Sequence, residues 1–116
     1  MDKKTTPHGK VAYDFAVALI SGRFAEAHEL LAASQKIEWS AEALHEELVQ
    51  MTDYGSGPPT EAEVMEVMED WPAKKPGDIG WAYAAIAGPG YSEAVAVVVA
   101  RENGRLCIRE IEWGRP

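Results

Sequence analysis

The chain ends in two apolar segments joined by Asn103-Gly104, and this dipeptide constrains the fold more than any other feature. A two-residue hairpin loop needs positive φ at both central positions, which Asn followed by Gly tolerates best. Residues 94–101 and the segment that begins at Arg105 are therefore predicted to pair as an antiparallel hairpin. Glu102 and Arg105 then lie opposite each other beside the turn.

The register of this hairpin predicts an irregularity in the last strand. Counted from the turn, a regular ladder would set Glu110 and Glu112 against apolar residues of the facing strand. Two carboxylates would then be buried, at a cost of several kcal/mol each if unpaired. One extra residue near Arg109 shifts the register by one and turns Ile111 and Trp113 inward, so we predict a β-bulge there. The expected pairs are Val97 with Ile111 and Val95 with Trp113.

Length and charge bound the remaining possibilities. A chain of 116 residues with 47% hydrophobic residues predicts one globular domain over 1–116, in which we expect residues 1–9 to be flexible. The net charge of -8 and the absence of a Lys/Arg cluster argue against nucleic acid or an anionic membrane as a partner. The acidic residues are expected to form a solvated surface, with a docking face for a basic partner as the alternative.

The chain holds few residues suited to metal or redox chemistry. Its one cysteine, Cys107, excludes an internal disulfide and a zinc site with two or more thiolates. His8, His28 and His45 are isolated, with no second ligand at helical spacing. We therefore expect no metal and no cofactor. The N-terminus lacks an apolar signal core, so a cytoplasmic location is the default expectation.

The first half of the chain predicts three helices. Apolar residues recur at helical spacing over 11–19, and Ser21-Gly22 ends that helix. A second short helix follows, and residues 37–39 (IEW) are expected to form a short strand. Ser40 has the hydroxyl of an N-cap for the third helix. That helix carries Leu44, Leu48 and Met51 inward.

The segment 60–71 fits two kinds of element. Thr60 and Glu63 have the spacing of a helical capping box, whereas Met65 and Val67 alternate with charged residues as in a strand. A sheet of only two or three strands would barely cover three helices. We therefore assign this segment to a strand.

The predicted order is helix, helix, short strand, helix and then a long antiparallel meander. With the segments ALISGRFAEAHELLA (18–32), WSAEALHEELVQM (39–51), DIGWAYAAIAG (78–88), SEAVAVVV (92–99) and IREIEWGRP (108–116), it resembles the NTF2-like or SnoaL-like superfamily of cystatin-like α+β cones. The resemblance implies three N-terminal helices packed on a curved antiparallel sheet of about four strands plus a short one. A bulged last strand is usual in that superfamily.

The cone of this superfamily commonly leaves a cavity, and the chain is rich in aromatic residues that would line it. Flat apolar side chains bind small hydrophobic ligands well. A noncatalytic binding or accessory protein with an apolar pocket is therefore the first interpretation of function. The candidate pocket residues are Tyr13, Trp39, Trp81, Tyr83 and Trp113.

Two other functions remain open. Isomerases and dehydratases of the same fold need a carboxylate made more basic by an apolar wall. Asp14, Glu110 and Glu112 are the candidate polar groups for such a pocket, although none matches the family's catalytic positions. The third function is an acidic protein-interaction module, of the kind that antitoxins and immunity proteins use against basic partners.

The second face of the predicted sheet is small and apolar where an exposed antiparallel sheet usually carries polar residues. Another sheet could pack closely against such a face. The resemblance implies the same assembly, a homodimer formed through the sheet. The candidate dimer-face residues are Ala94, Ala96, Val98, Ala100 and Cys107.

Overall fold

The structure, a computed structural model, describes residues 3–114 as helices followed by one sheet. The four strands are antiparallel and pair in chain order, β1-β2-β3-β4. The α+β class and the helices-then-meander order are as predicted. The elements are a 3-10 turn at Lys3–Thr5, α1 (Pro7–Ile20), α2 (Phe24–Glu29), α3 (Ala33–Glu38), α4 (Ala41–Thr52), β1 (Glu61–Met68), β2 (Asp78–Gly88), β3 (Tyr91–Glu102) and β4 (Arg105–Trp113).

The start of α1 places residues 7–9 in a helix, whereas residues 1–9 were expected to be flexible. Thr6 is the N-cap, and its Oγ1 accepts a hydrogen bond of 3.0 Å from the backbone N–H of Gly9. Pro7 occupies the first turn, where its missing N–H costs nothing. His8 and Gly9 are buried, so the folded part of the chain includes this segment. Residues 1 and 2 lie outside the described residues.

The predicted strand at residues 37–39 is wrong. Ile37 and Glu38 belong to α3, so the described chain has four helices rather than three, and Ile37 is 88% exposed. The contact with the sheet comes earlier, where Leu31 forms a parallel bridge with Ile108. Leu31 is fully buried. The bridge therefore forms where a side chain is buried against the sheet, and not at residues 37–39, whose β-propensity suggested a strand.

The assignment of residues 60–71 to a strand is confirmed by β1. Ala62, Val64 and Val67 pair with core residues of β2 and turn towards the helices. A bulge between Val64 and Glu66 breaks the alternation of side chains, which is why the sequence pattern was ambiguous. Pairing with β2 therefore outweighed the helical capping signal of this segment.

The closing hairpin has the predicted turn and register. Asn103 and Gly104 have φ values of 52° and 77°, and Glu102 lies opposite Arg105. The register shifts between Val98 and Val99, which leaves one extra residue in β4. The pairs after the bulge are Val97 with Ile111 and Val95 with Trp113, as predicted.

The two faces of the sheet differ in what covers them. The core face carries the residues that pack against the helices: Ala82, Ala84 and Ile86 of β2, Val95, Val97 and Val99 of β3, and Ile108 of β4. α1 is the main helix on this face, and it contributes the fully buried Phe15 and Leu19. The alternating residues form the outer face: Trp81, Tyr83 and Ala85 of β2, Ala94, Ala96, Val98 and Ala100 of β3, and Glu110 and Glu112 of β4.

A bidentate ion pair crosses the sheet at the bulge. The Nε and Nη2 atoms of Arg109 donate to the two carboxylate oxygens of Asp78 at 2.6 and 2.8 Å. Asp78 opens β2 and Arg109 lies in β4, so the pair spans β3, where the facing residue is the small Ala100. Two strand spacings are about 10 Å, a distance that a long Arg side chain can cover.

Burial affects the pKa of Asp78, because its side chain has no exposed surface. Burial alone would raise the pKa of this carboxyl. The hydrogen bonds from Arg109 and from the backbone N–H of Lys75, together with the positive charges of these two residues, outweigh burial, so the pKa lies below its ordinary value of 3.8.

We predict that Asp78→Asn lowers the free energy of unfolding by about 2–4 kcal/mol, because it leaves the Arg109 charge half-buried without its partner. Asp14→Asn is the control, because it breaks the exposed Lys10–Asp14 pair and should change stability little. The measurement is urea denaturation at neutral pH. Equal effects of the two variants would contradict the prediction.

The same pair predicts a pH dependence. A carboxyl with a lowered folded-state pKa contributes stability that is present above the unfolded pKa and is lost as the pH falls through the folded value. The stability difference between the native protein and Asp78→Asn should therefore be constant above about pH 5 and shrink at lower pH. A difference that does not change down to about pH 2 would contradict this assignment.

His8 is buried without a hydrogen-bond partner for either ring nitrogen among the described residues. Its ring lies against Gly80 on the core face of β2, at a place where any Cβ on residue 80 would collide with it. Burial lowers the pKa of His8, and the negative charge of Glu69 opposes this effect only in part. A neutral imidazole therefore fills the space that Gly80 leaves.

We predict that His8→Leu reduces the loss of stability between pH 7.5 and 5. Unfolded His8 takes up a proton near its ordinary pKa of 6.5, before the folded state does, so the native protein loses stability as the pH falls through this range. His8→Gln should flatten the same slope but be less stable than His8→Leu at pH 7.5, because its amide remains unpaired. Native-like slopes in both variants would show that His8 does not cause the loss.

Candidate functional site

An apolar groove lies between the helices and the loop that leads into β1. Its volume is about 370 Å³, and we call it the helix groove. The ends of α1 and α4, the start of α2 and the loop at 53–59 form its walls. The lining residues are Leu19, Ile20, Gly22, Phe24, His45, Leu48, Val49, Thr52, Asp53, Gly55, Gly57, Pro58 and Pro59.

The helical side of the groove is organised by α4. Ser40 caps this helix, with its Oγ accepting a hydrogen bond of 3.0 Å from the N–H of Ala43, as predicted. One face of α4 enters the core through Leu48, while Val49 remains 50% exposed at the groove. The His45 ring stacks on Phe24 of α2, with centroids 4.4 Å apart and planes inclined by 20°. The groove thus has a flat aromatic side.

The loop side of the groove is fixed by Tyr91, the first residue of β3. Its hydroxyl donates a hydrogen bond of 2.9 Å to the carbonyl oxygen of Gly57. Its ring packs where side chains on Gly55 or Gly88 would stand, so both positions must be glycine in this arrangement. Tyr91 therefore holds the loop in place and, with it, the wall of the groove.

The groove has few ionisable groups, and they are far apart. His45 and Asp53 are the two ionisable residues of its lining. Asp53 follows His45 by eight positions along α4 and its C-cap, which corresponds to about 12 Å along the helix axis. The hydroxyl of Thr52 donates to the carbonyl oxygen of Leu48 at 2.8 Å. This arrangement suits orientation of an apolar ligand better than direct proton transfer between paired groups.

The five predicted pocket aromatics do not converge on one site. Trp39 and Trp113 meet on the core face, with ring centroids 5.6 Å apart, and Phe15 packs against Trp113 at 6.3 Å. These rings occupy the concave side of the sheet where the pocket was expected. They belong to the core, and the Nε1 atom of Trp113 has no hydrogen-bond partner within residues 3–114.

The other three predicted aromatics lie elsewhere. Trp81 and Tyr83 stack on each other at 6.3 Å on the outer face, opposite Val98 and Ala96. Tyr13 lines a separate surface recess between α1 and the start of β1. The structure therefore does not bring these three residues together with Trp39 and Trp113, and the alternation along β2 places its two aromatic side chains away from the helices.

The three predicted polar pocket residues are also dispersed. Asp14 lies on the surface of α1 and forms an ion pair of 2.8 Å with Lys10. Glu110 and Glu112 lie on the outer face, opposite Val98 and Ala96. The bulge turns both carboxylates away from the core, so the structure does not bring them to the helix groove.

The predicted dimer-face residues lie on the outer face, where they are already covered within the single chain. Ala94, Ala96, Val98, Ala100 and Cys107 are all buried, and the flanking side chains of β2 and β4 enclose them. They form the floor of the outer face rather than its contact surface. Burial also raises the pKa of the Cys107 thiol.

The site residues that the sequence did not reveal are those of the helix groove. The sequence predicted Leu48 as an inward residue of its helix and His45 as an isolated histidine, with no link between them. The signal available for the groove wall was the spacing of glycine and proline in 55–59 and 88–90. Glycines that allow a ring to approach cannot be distinguished by sequence from glycines that only form turns.

Comparison with models of protein families, with curated proteins and with solved structures finds no match for this chain. Within residues 3–114, no group of three or more His, Cys, Asp or Glu side chains is arranged to hold a metal ion. No helix of that same part of the chain is long and apolar enough to cross a membrane.

We predict that Gly55→Ala destabilises the protein by about 1–3 kcal/mol, because the new methyl group must displace the Tyr91 ring. Gly57→Ala is a matched control in the same loop, since a Cβ there meets Pro89 at 3.6 Å, an ordinary contact. Thermal unfolding of both variants tests this. A Gly57→Ala variant as unstable as Gly55→Ala would show that loop flexibility, and not Tyr91, sets the requirement.

Proposed function

We propose that this chain is a noncatalytic binding protein of the NTF2-like superfamily that holds a small apolar ligand in the helix groove. The resemblance supports the superfamily through the order of helices and antiparallel strands and through the bulged last strand. The helix groove supports binding, and it is the observation that carries the proposal.

The size and lining of the groove favour a compact hydrophobic ligand. Its volume of about 370 Å³ lies within the range of small-molecule sites, which is about 300–1,000 Å³. Leucine, isoleucine, valine, phenylalanine and proline side chains dominate the lining. The stacked Phe24–His45 pair offers a flat surface, which suits a planar or aromatic ligand.

A binding role is favoured over catalysis by where the carboxylates lie. The isomerase or dehydratase alternative requires Asp14, Glu110 or Glu112 beside an apolar cavity. Asp14 is paired with Lys10 on the surface, and the two glutamates lie on the other side of the sheet. The homodimer implied by the resemblance stays a prediction, and it concerns the outer face rather than the helix groove.

The experiment is a fluorescence titration with N-phenyl-1-naphthylamine, a neutral aromatic probe that brightens in apolar sites. We expect saturable binding to the native protein and at least about tenfold weaker binding to Val49→Lys, because that charge enters the apolar groove. Gln50→Lys is the control, since it adds the same charge at the next, exposed position of α4. Its affinity should be native-like.

Two results would contradict the proposal. Absence of saturable fluorescence in the native protein would argue against a ligand in the groove. Equal binding to Val49→Lys and the native protein would place the probe somewhere else. Circular dichroism of both lysine variants confirms that α4 is intact in each.

A further inference from the structure

The outer face of the sheet combines an apolar centre with an acidic border. The centre consists of Met68, Trp81 and Tyr83, which are neighbours by strand pairing, and Met68 is 37% exposed. Carboxylates border this centre on both outer strands. They are Glu61, Glu63 and Glu66 of β1 and Glu110 and Glu112 of β4. We call this surface the acidic sheet face.

Among the described residues, no ion pair joins a Lys or Arg side chain to a carboxylate of this border. Arg109 lies close enough to Glu110 for the two charges to interact, but both of its hydrogen bonds go to Asp78. Arg105 donates instead to the backbone carbonyls of Glu29 and Leu31, at the edge of the helical layer. Arg101 pairs with Leu106, whose side chain packs against the core, and so lies on the other face.

A recess at one end of this face is shaped for a long side chain. It has a volume of about 180 Å³, with Ala85 and Ala87 among its lining residues and Glu61 and Glu63 beside them. Small apolar groups below and carboxylates at the rim suit Lys or Arg, whose stem is apolar and whose end is charged. This recess is an observation independent of the overall acidity.

We propose that the acidic sheet face binds a cationic segment of another protein, with apolar residues at the centre of that segment. Aromatic and methionine side chains surrounded by charged residues are typical of interface centres and rims. Guanidinium groups also stack favourably on tryptophan and tyrosine rings, which Trp81 and Tyr83 supply. This site is separate from the helix groove, so the two proposals fail or succeed independently.

A second copy of the chain fits this face less well. A two-fold dimer places the same surface against itself, so the acidic borders of both copies would meet, and the nearby Arg109 is already paired with Asp78. The area is also small. Four strands spaced about 4.8 Å apart, with a rise of about 3.3 Å per residue over the eight residues of β1, form a face of about 400 Å². A typical protein–protein interface covers about 800 Å² on each partner, which is twice this area. The smaller area of this face suits a segment rather than a folded domain.

The first experiment uses a fluorescein-labelled peptide of four Arg-Leu repeats and a matched peptide of four Glu-Leu repeats. Fluorescence anisotropy should show binding of the Arg-Leu peptide only. The affinity should fall at least about tenfold between 50 and 500 mM salt, because screening weakens contacts between exposed charges. Failure of the Arg-Leu peptide to bind at 50 mM salt would overturn the proposal.

Matched variants separate this face from general attraction to an acidic protein. We compare two double variants. One carries Glu110→Gln and Glu112→Gln in β4, and the other carries Glu42→Gln and Glu46→Gln in α4. Each double variant changes the net charge from -8 to -6. Glu42 and Glu46 are exposed on α4, away from the sheet. We expect the β4 pair to weaken binding at least about fivefold and the α4 pair less than twofold. Equal weakening would overturn the proposal.

A third comparison tests the apolar centre. Met68→Lys places a cation beside Trp81 and should abolish peptide binding, whereas Ile37→Lys changes an exposed apolar residue of α3 and should not. Light scattering at tens of micromolar identifies the competing occupant. A dimer that Met68→Lys converts to monomer would show that a second copy occupies this face, and the proposal would be overturned.

Discussion

The bulge at Arg109, which positions the Asp78–Arg109 ion pair, determines which side of the sheet residues 110–113 of β4 face. Arg109 is the extra residue of β4, and its guanidinium reaches across β3 to a carboxylate with no exposed surface. The same extra residue turns Ile111 and Trp113 inward and Glu110 and Glu112 outward. Without it, two carboxylates would enter the core, so the separation of apolar and acidic residues on β4 depends on one inserted residue.

This division explains why the concave side of the sheet contains a packed core. Trp113 points inward after the bulge and meets Trp39 and Phe15, whose rings occupy the space between sheet and helices. The space that could hold a ligand, the helix groove, therefore lies at the ends of α1 and α4 and not between these rings. It exists there because Tyr91 holds the loop wall through its hydroxyl. Side-chain volume at a few positions thus decided the location of the groove.

Strand pairing was more predictable from sequence than the direction of the large side chains. The turn at Asn103-Gly104 and the cost of burying glutamate are local and electrostatic, and together they determined the register of the last two strands. For β2, the bulky Trp81 and Tyr83 were expected to line a pocket on the side of the sheet that faces the helices. The structure has the small Ala82 and Ala84 there instead, because α1 packs closely against this strand. Helix proximity is a tertiary property that the alternating pattern alone does not reveal.

The two proposed sites lie on opposite sides of the sheet, and small residues of β2 and β3 lie beneath both sides. On the core side, Ala82 and Ala84 let the helices approach, which leaves the helix groove as a gap between helix ends. On the outer side, Ala94 and Ala96 keep the floor low, so Trp81 and Tyr83 stand above it beside the carboxylates. Binding in the groove relies on apolar contact, whereas binding on the acidic sheet face relies on charge. Salt should therefore act on the two sites differently, since screening affects exposed charges far more than buried apolar surface.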